Sequence, residues 1–238
     1  MIIFDYGHTL VYEEKWDGVK AQRALMEHCI SNKNNLTAEQ ISEFASYLFE
    51  SAGPARKTGV DFHEHMFSRL LNEYLQLEIN LSPFEEEKLY WDTASPARAM
   101  PHIKETLGYL RENNIRSGVI SNISFSGEAL KSRINEVLPE NNFEFIIASS
   151  EYIFRKPGKI IFGLALNKAG LDASEVWYCG DSPEFDVAGA GSAGIFPVWY
   201  ESEIECWYRE RGDLAAPACA HLRITDWREL IKILENLE

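Results

Sequence analysis

Short, wholly apolar runs alternate along this chain with longer stretches in which apolar residues recur every three or four positions. Ile2–Phe4, Ser117–Ile120, Phe145–Ala148, Val176–Cys179 and Ile195–Trp199 read as strands buried on both faces. Ile103–Leu110, introduced by Pro101, and Ile161–Lys168 read as helices between them. Buried strands alternating with helices predict an α/β fold: a Rossmann-like parallel sheet with helices on both faces.

One connection breaks this rhythm. Between Leu10 and Pro101 the chain offers no convincing buried strand, only amphipathic helical patterns. Ile41, Phe44, Ala45, Leu48 and Phe49 make one stripe, and Phe62, Met66, Leu70 and Tyr74 another, both expected to pack a core. Ser51–Gly53–Pro54 is expected to break a helix and Ser82-Pro83 to start one. The expected organisation is therefore a core of residues 1–13 and 96–238 with an all-helical insertion at 14–95.

Composition narrows the function. The chain has 238 residues, 45% apolar, with 23 basic residues against 37 acidic ones and a formal net charge of −14. That balance argues against nucleic acid and against anionic membrane surfaces as partners, both of which call for basic patches. Cys29, Cys179, Cys206 and Cys219 show neither a C-x-x-C pair nor metal-ligand spacing with histidine, so reduced thiols are expected, with Cys179 an inert core thiol. Residues 1–5 do not resemble a signal peptide, and no apolar run approaches the roughly 18 residues of a membrane span, so a cytoplasmic protein is expected.

In an open parallel sheet, ligands bind beyond the carboxyl ends of the strands. Asp5, Ser121-Asn122, Arg155-Lys156-Pro157 and Gly180–Asp186 each follow a predicted strand, so their side chains are expected to share one crevice. A carboxylate, a hydroxyl, a cation and a pair of acids suit phosphoryl transfer: the carboxylate attacks, hydroxyl and cation hold phosphate oxygens, and the acids fix a divalent ion. Hard oxygen donors favour magnesium.

Asp5 with Thr9-Leu10, Ser121-Asn122, Lys156-Pro157 and Gly180-Asp181 through Asp186 with Ala-Gly-Ala after it, in this order, resemble the haloacid dehalogenase-like (HAD) hydrolase superfamily over residues 1–12 and about 100–200. The resemblance implies a phosphatase for a small phosphorylated metabolite, with a mobile helical cap inserted after the first motif. It implies Asp5 as nucleophile forming an aspartyl intermediate, Ser121 (with Asn122 beside it) on the phosphate, and Lys156 neutralising both Asp5 and the transferring group. Mg²⁺ would lie beside Asp5, the Gly7 carbonyl, Asp181 and Asp186.

The chain departs from that pattern at Gly7, where family phosphatases carry a second, acid–base aspartate. General acid–base help is typically worth about 10²–10⁴-fold. Three readings follow: a phosphatase whose leaving group needs little protonation or which borrows a group such as His8; a carbon–phosphorus or carbon–halogen hydrolase, with Lys57 as Schiff-base candidate; or a phospho-ligand binding module. Trp16 either closes over substrate or packs core to insertion, and Arg155 either adds positive potential or is solvated. His63 and His65 are expected to diverge, and Glu201–Arg211 to form a surface helix with Trp207 partly packed.

Overall fold

The computed structural model describes residues 1–207 and 217–237. In chain order the elements are β1 (Ile2–Phe4), β2 (Val11–Glu13), α1 (Gly18–Met26), β3 (Cys29–Asn32), α2 (Ala38–Lys57), α3 (Glu64–Leu75), β4 (Leu77–Ile79), α4 (Pro83–Ala94) and β5 (Ala97–Ala99). They continue with α5 (Ile103–Glu112), β6 (Ser117–Ser121), α6 (Gly127–Val137), β7 (Ile146–Ala148), α7 (Lys159–Ala169), β8 (Trp177–Gly180), α8 (Gly189–Ser192), β9 (Phe196–Tyr200), β10 (Leu222–Ile224) and α9 (Trp227–Glu235).

Six strands form one parallel sheet in the order β10-β9-β8-β1-β6-β7. β1 lies inside it, hydrogen-bonded to β6 and β8, which is why Ile2, Ile3 and Phe4 are all apolar and all buried. Alternate residues face opposite layers. Ile2 and Phe4 join Leu107, Leu130, Ile134 and Trp227 from α5, α6 and α9, whereas Ile3 joins Phe162, Ala165 and Ala190 from α7 and α8. The sixth strand, β10, is short, lies at the edge and carries Arg223 in the middle, so apolar patterning does not reveal it.

The insertion is helical in bulk but not throughout. β3 and β4 pair antiparallel within it, and β2 pairs with β5 where the chain leaves and re-enters the sheet domain. Its own core gathers Ile41, Ala45, Leu71 and Leu77. α4 starts as expected, with Ser82 as N-cap and Pro83 in the first turn.

Three local expectations need correction. α2 runs through Ser51–Gly53–Pro54 without a break, although Pro54 lacks the amide that would bond the Glu50 carbonyl; the helix ends within a turn of it, at Lys57. On α3, Phe67, Leu71 and Leu75 face the insertion core, while Met66, Leu70 and Tyr74 are exposed. The two stripes are offset by a single position, about 100° around the helix, so spacing alone does not choose between them. Residues 201–207 are not helical, and the remainder of the expected helix to Arg211 lies outside the described residues.

Candidate active site

The turn after β1 carries the first acid. Asp5 donates its amide to the Cys179 carbonyl at 2.8 Å, so its backbone is fastened to β8, and Thr9 Oγ1 donates to Asp5 Oδ2 at 3.4 Å. Ser121 is the last residue of β6 and is buried. Beyond β8, Asp181 has its carbonyl held by the Trp199 indole N–H at 3.2 Å, and a π-helical turn over Pro183–Ala188 returns Asp186 over the strand end. Asp5, Asp181 and Asp186 are all buried and present one oxygen each within 4.8 Å of one another.

Lys156 organises this cluster. The side chain is 2% exposed, and the three protons of Nζ face four acceptors: Asp5 Oδ1 at 2.6 Å, Asp186 Oδ1 at 2.6 Å, Tyr178 Oη at 2.8 Å and the Ile120 carbonyl at 3.2 Å. Burial works to lower the ammonium pKa. The charges and hydrogen bonds of Asp186 and Asp5 outweigh it and raise the pKa. For Asp5, burial wins over the attraction of Lys156, and with repulsion from Asp186 the carboxyl is pushed up to about 6.

Asp186 lies in the acid cluster, where its sequence motif is expected to put it, and also holds Lys156. Oδ1 accepts from Lys156 and, at 3.3 Å, from Tyr178, while Oδ2 accepts from the Ser182 amide at 2.9 Å. It lies within reach of an ion at Asp5 and Asp181 while also accepting from the lysine. Three carboxylates supply the hard oxygen donors a small divalent cation takes, so the residues fit one.

Asn122 ties the second and third motif loops together: Nδ2 donates to the Lys156 carbonyl at 2.9 Å and Oδ1 accepts from the Lys156 amide at 2.7 Å. Gly7 is half-buried in the turn, bridged to Val11, and the left-handed residue there is His8, buried, with φ 52°.

Comparison with known proteins decides the family. A model of the haloacid dehalogenase-like hydrolases matches residues 2–199. The chain belongs to this family. It is 25% identical over 224 residues to pyrimidine 5'-nucleotidase YjjG of Escherichia coli, covering 91% of this chain and 90% of that protein. It is 26% identical over 244 residues to glyceraldehyde 3-phosphate phosphatase of Pyrococcus furiosus, at 99% and 93% coverage. Its fold is shared with a 2-haloacid dehalogenase from Pseudomonas syringae (TM-score 0.62, 23% identity, 100% and 98% coverage). A HAD phosphatase from Thermococcus onnurineus also shares it (TM-score 0.61, 21% identity, 98% and 96% coverage).

In this HAD-like hydrolase several candidates prove to be packing or surface. Trp16 lies edge-on to Tyr90 at 5.7 Å and tilted against Phe125 at 6.3 Å, and Lys57 is exposed at the end of α2. Burial pushes the Cys179 thiol above its ordinary value, keeping it protonated. Arg155 pairs with Asp61 of the insertion at 3.6 Å rather than being solvated. His63 and His65 do not diverge. His63 is the N-cap of α3, extended, and accepts from the His65 amide, which leaves the rings 4.7 Å apart, facing Glu151 and Glu87.

Sequence reasoning missed Tyr178 and Arg133. Tyr178 stands between Lys156 and Asp186, a polar tip in an otherwise apolar strand being the one available signal. Arg133, buried on α6, donates to Tyr6 Oη at 3.0 Å, to Asp92 and to the Ser95 carbonyl, and lies 4.3 Å over the Trp91 ring. It joins the residue after Asp5 to the end of α4.

Proposed function

We propose that this HAD-like hydrolase is a magnesium-dependent phosphatase acting on a small phosphorylated metabolite through a phospho-Asp5 intermediate. The observation that carries it is Asp181 within ligand distance of Asp5: carbon–halogen cleavage by a carboxylate has no use for a cation site, whereas an anionic nucleophile meeting an anionic phosphate does.

In this reading Asp5 attacks phosphorus as the carboxylate, and the P–O bond to the leaving group breaks as the phospho-Asp5 bond forms, the leaving group departing as its oxyanion. Ser121 and the ammonium of Lys156 take the phosphoryl oxygens, and Lys156 also holds Asp5 in place through the 2.6 Å contact. Asp186 keeps Lys156 charged and aimed. Asp5, the Gly7 carbonyl and Asp181, with Asp186 beside them, would hold Mg²⁺, whose charge offsets that of phosphate and nucleophile. Water then attacks phospho-Asp5 at phosphorus, releasing inorganic phosphate and restoring the Asp5 carboxylate. Because Gly7 supplies no acid, substrates with good leaving groups, such as acyl phosphates, suit the site best.

Residues 14–95 act as the cap in this reading, with the β2–β5 ribbon as its neck. Cysteines outside any disulfide fit the reducing cytoplasm, and no described helix is long and apolar enough to cross a membrane.

The test is phosphate release from a panel of phosphorylated metabolites, acyl phosphates included, with Mg²⁺ and with chelator, using Asp5→Asn as control. Release that needs the metal and vanishes in the variant is the expected outcome. Silence across the panel, or release indifferent to chelator, overturns the reading.

A further inference from the structure

Resting on the phosphatase reading, we propose that Asp61, in the insertion, is a positioning residue that sets the two catalytic loops through the hydroxyl of Ser149. Asp61 sits in the segment between α2 and α3, its side chain fully buried. Oδ2 accepts from Ser149 Oγ at 2.7 Å, and Oδ1 accepts from Arg56 Nε at 3.1 Å and from the Phe62 amide at 3.2 Å.

The direction of one proton makes this more than a contact. A serine hydroxyl has a single hydrogen, and two acceptors lie within its reach: Asp61 Oδ2 at 2.7 Å and the Ile123 carbonyl at 3.2 Å. The nearer, charged acceptor takes it. Ser149 Oγ is then left with lone pairs, one of which accepts from the Ile123 amide at 2.9 Å. Ile123 follows Asn122, whose carboxamide is bonded in both directions to the Lys156 backbone. A chain of hydrogen bonds thus runs from the insertion to the lysine that holds Asp5.

A second observation converges on the same place. Ile153, on the loop leading to Lys156, has φ 65°, a left-handed conformation that a β-branched residue adopts only under strain. The amide of Asp61 donates to the carbonyl of Ile153, and the Arg155 amide donates to the Gly59 carbonyl at 3.1 Å. The insertion therefore holds the strained turn on its backbone side while Asp61 orients Ser149 on the other. Removing the carboxylate frees the Ser149 hydroxyl to turn to the Ile123 carbonyl and lets the Lys156 loop drift.

The experiment compares Asp61→Ala, Ser149→Ala and the double variant, with Asp61→Asn as a nearly isosteric substitute should Asp61→Ala fold poorly. Two readouts are taken: kcat and KM for p-nitrophenyl phosphate with Mg²⁺, and amide hydrogen exchange in peptides spanning 121–126 and 149–156. A displacement of this kind costs about ten- to a hundredfold in kcat, with KM within about twofold and exchange at Ile123 accelerated. Ser149→Ala does the same, and the double variant is no worse than either single one. Asp61→Asn moves both readouts in the same direction by less.

Unchanged kcat and exchange in folded Asp61→Ala, effects that multiply in the double variant, or a change confined to KM each overturn the proposal. If the parent releases no phosphate, the exchange readout decides alone: accelerated exchange at Ile123 upholds the coupling while the phosphatase reading fails, and unchanged exchange overturns the coupling.

Discussion

Gly180 and Asp186 share one space: a Cβ built on Gly180 would lie 2.3 Å from Asp186 Cγ, closer than any side chain tolerates. The carboxylate that aims Lys156 therefore occupies the place a larger residue at 180 would need. Gly180→Ala is expected to push Asp186 off Lys156 and Ser182 and to lower kcat by about 10²-fold, with the protein still folded. Steady-state kinetics beside a urea melt check this, and full activity in the variant would refute the coupling.

Lys156→Met removes the charge between Asp5 and Asp186 while keeping the volume. Breaking one side of a buried pair costs about 3–5 kcal/mol, because two carboxylates then face each other in a dry site. The deficit should shrink on acidification, since protonating either acid relieves it and the folded state then binds that proton more tightly. Denaturant unfolding at pH 8 and pH 5.5 measures both effects.

Gly7→Asp places an acid two residues after Asp5. Hydrolysis of alkyl phosphates, whose leaving oxygen needs a proton, is expected to rise by about ten- to a hundredfold, while acyl phosphate hydrolysis stays nearly level. The ratio of the two rates is the measurement. A rise in both alike would mean that Gly7 does not set leaving-group preference.

Glu64 opens α3 beneath the Ser124 carbonyl, and burial pushes its carboxyl up to about 8, above its ordinary 4.5. A carboxyl raised on folding holds its proton in the folded state, so stability falls as pH climbs from about 4.5 to about 8 and levels off above. Glu64→Gln, which resembles the protonated form, should flatten this slope and raise the melting temperature more at pH 9 than at pH 5. Melting curves across that range test it.

How much of this was legible in the chain depends on what each residue answers to. Ile2–Phe4 announced a central strand because both of its faces are buried. Asp5, Ser121 and Asp181 stand where strands end, Lys156 on the loop that follows one, and strand ends converge by the geometry of a parallel sheet. The roles within the cluster were less visible. Asp186 reads as a metal ligand in the sequence, and the π-helical turn that brings it back over Gly180 makes it the partner of Lys156 as well. Asp61 gave no signal at all, since the residues it contacts, Ser149 and Arg155, are remote in sequence. On α3 two equally apolar stripes competed, and Ile41 and Leu77, not periodicity, decided between them.

The order in which the strands leave the ribosome follows from the place of β1. Ile2 pairs with Ser117 on one side and with Trp177 on the other. At about 5–20 residues per second, the nascent strand that bears Asp5 waits roughly ten seconds or more for its second neighbour. Meanwhile the insertion, with a core of its own, emerges between them and can fold first. The strand bearing Asp5 is made before either neighbour and is enclosed only once β8 arrives, so shielding Ile2–Phe4 during synthesis would raise the yield of folded protein.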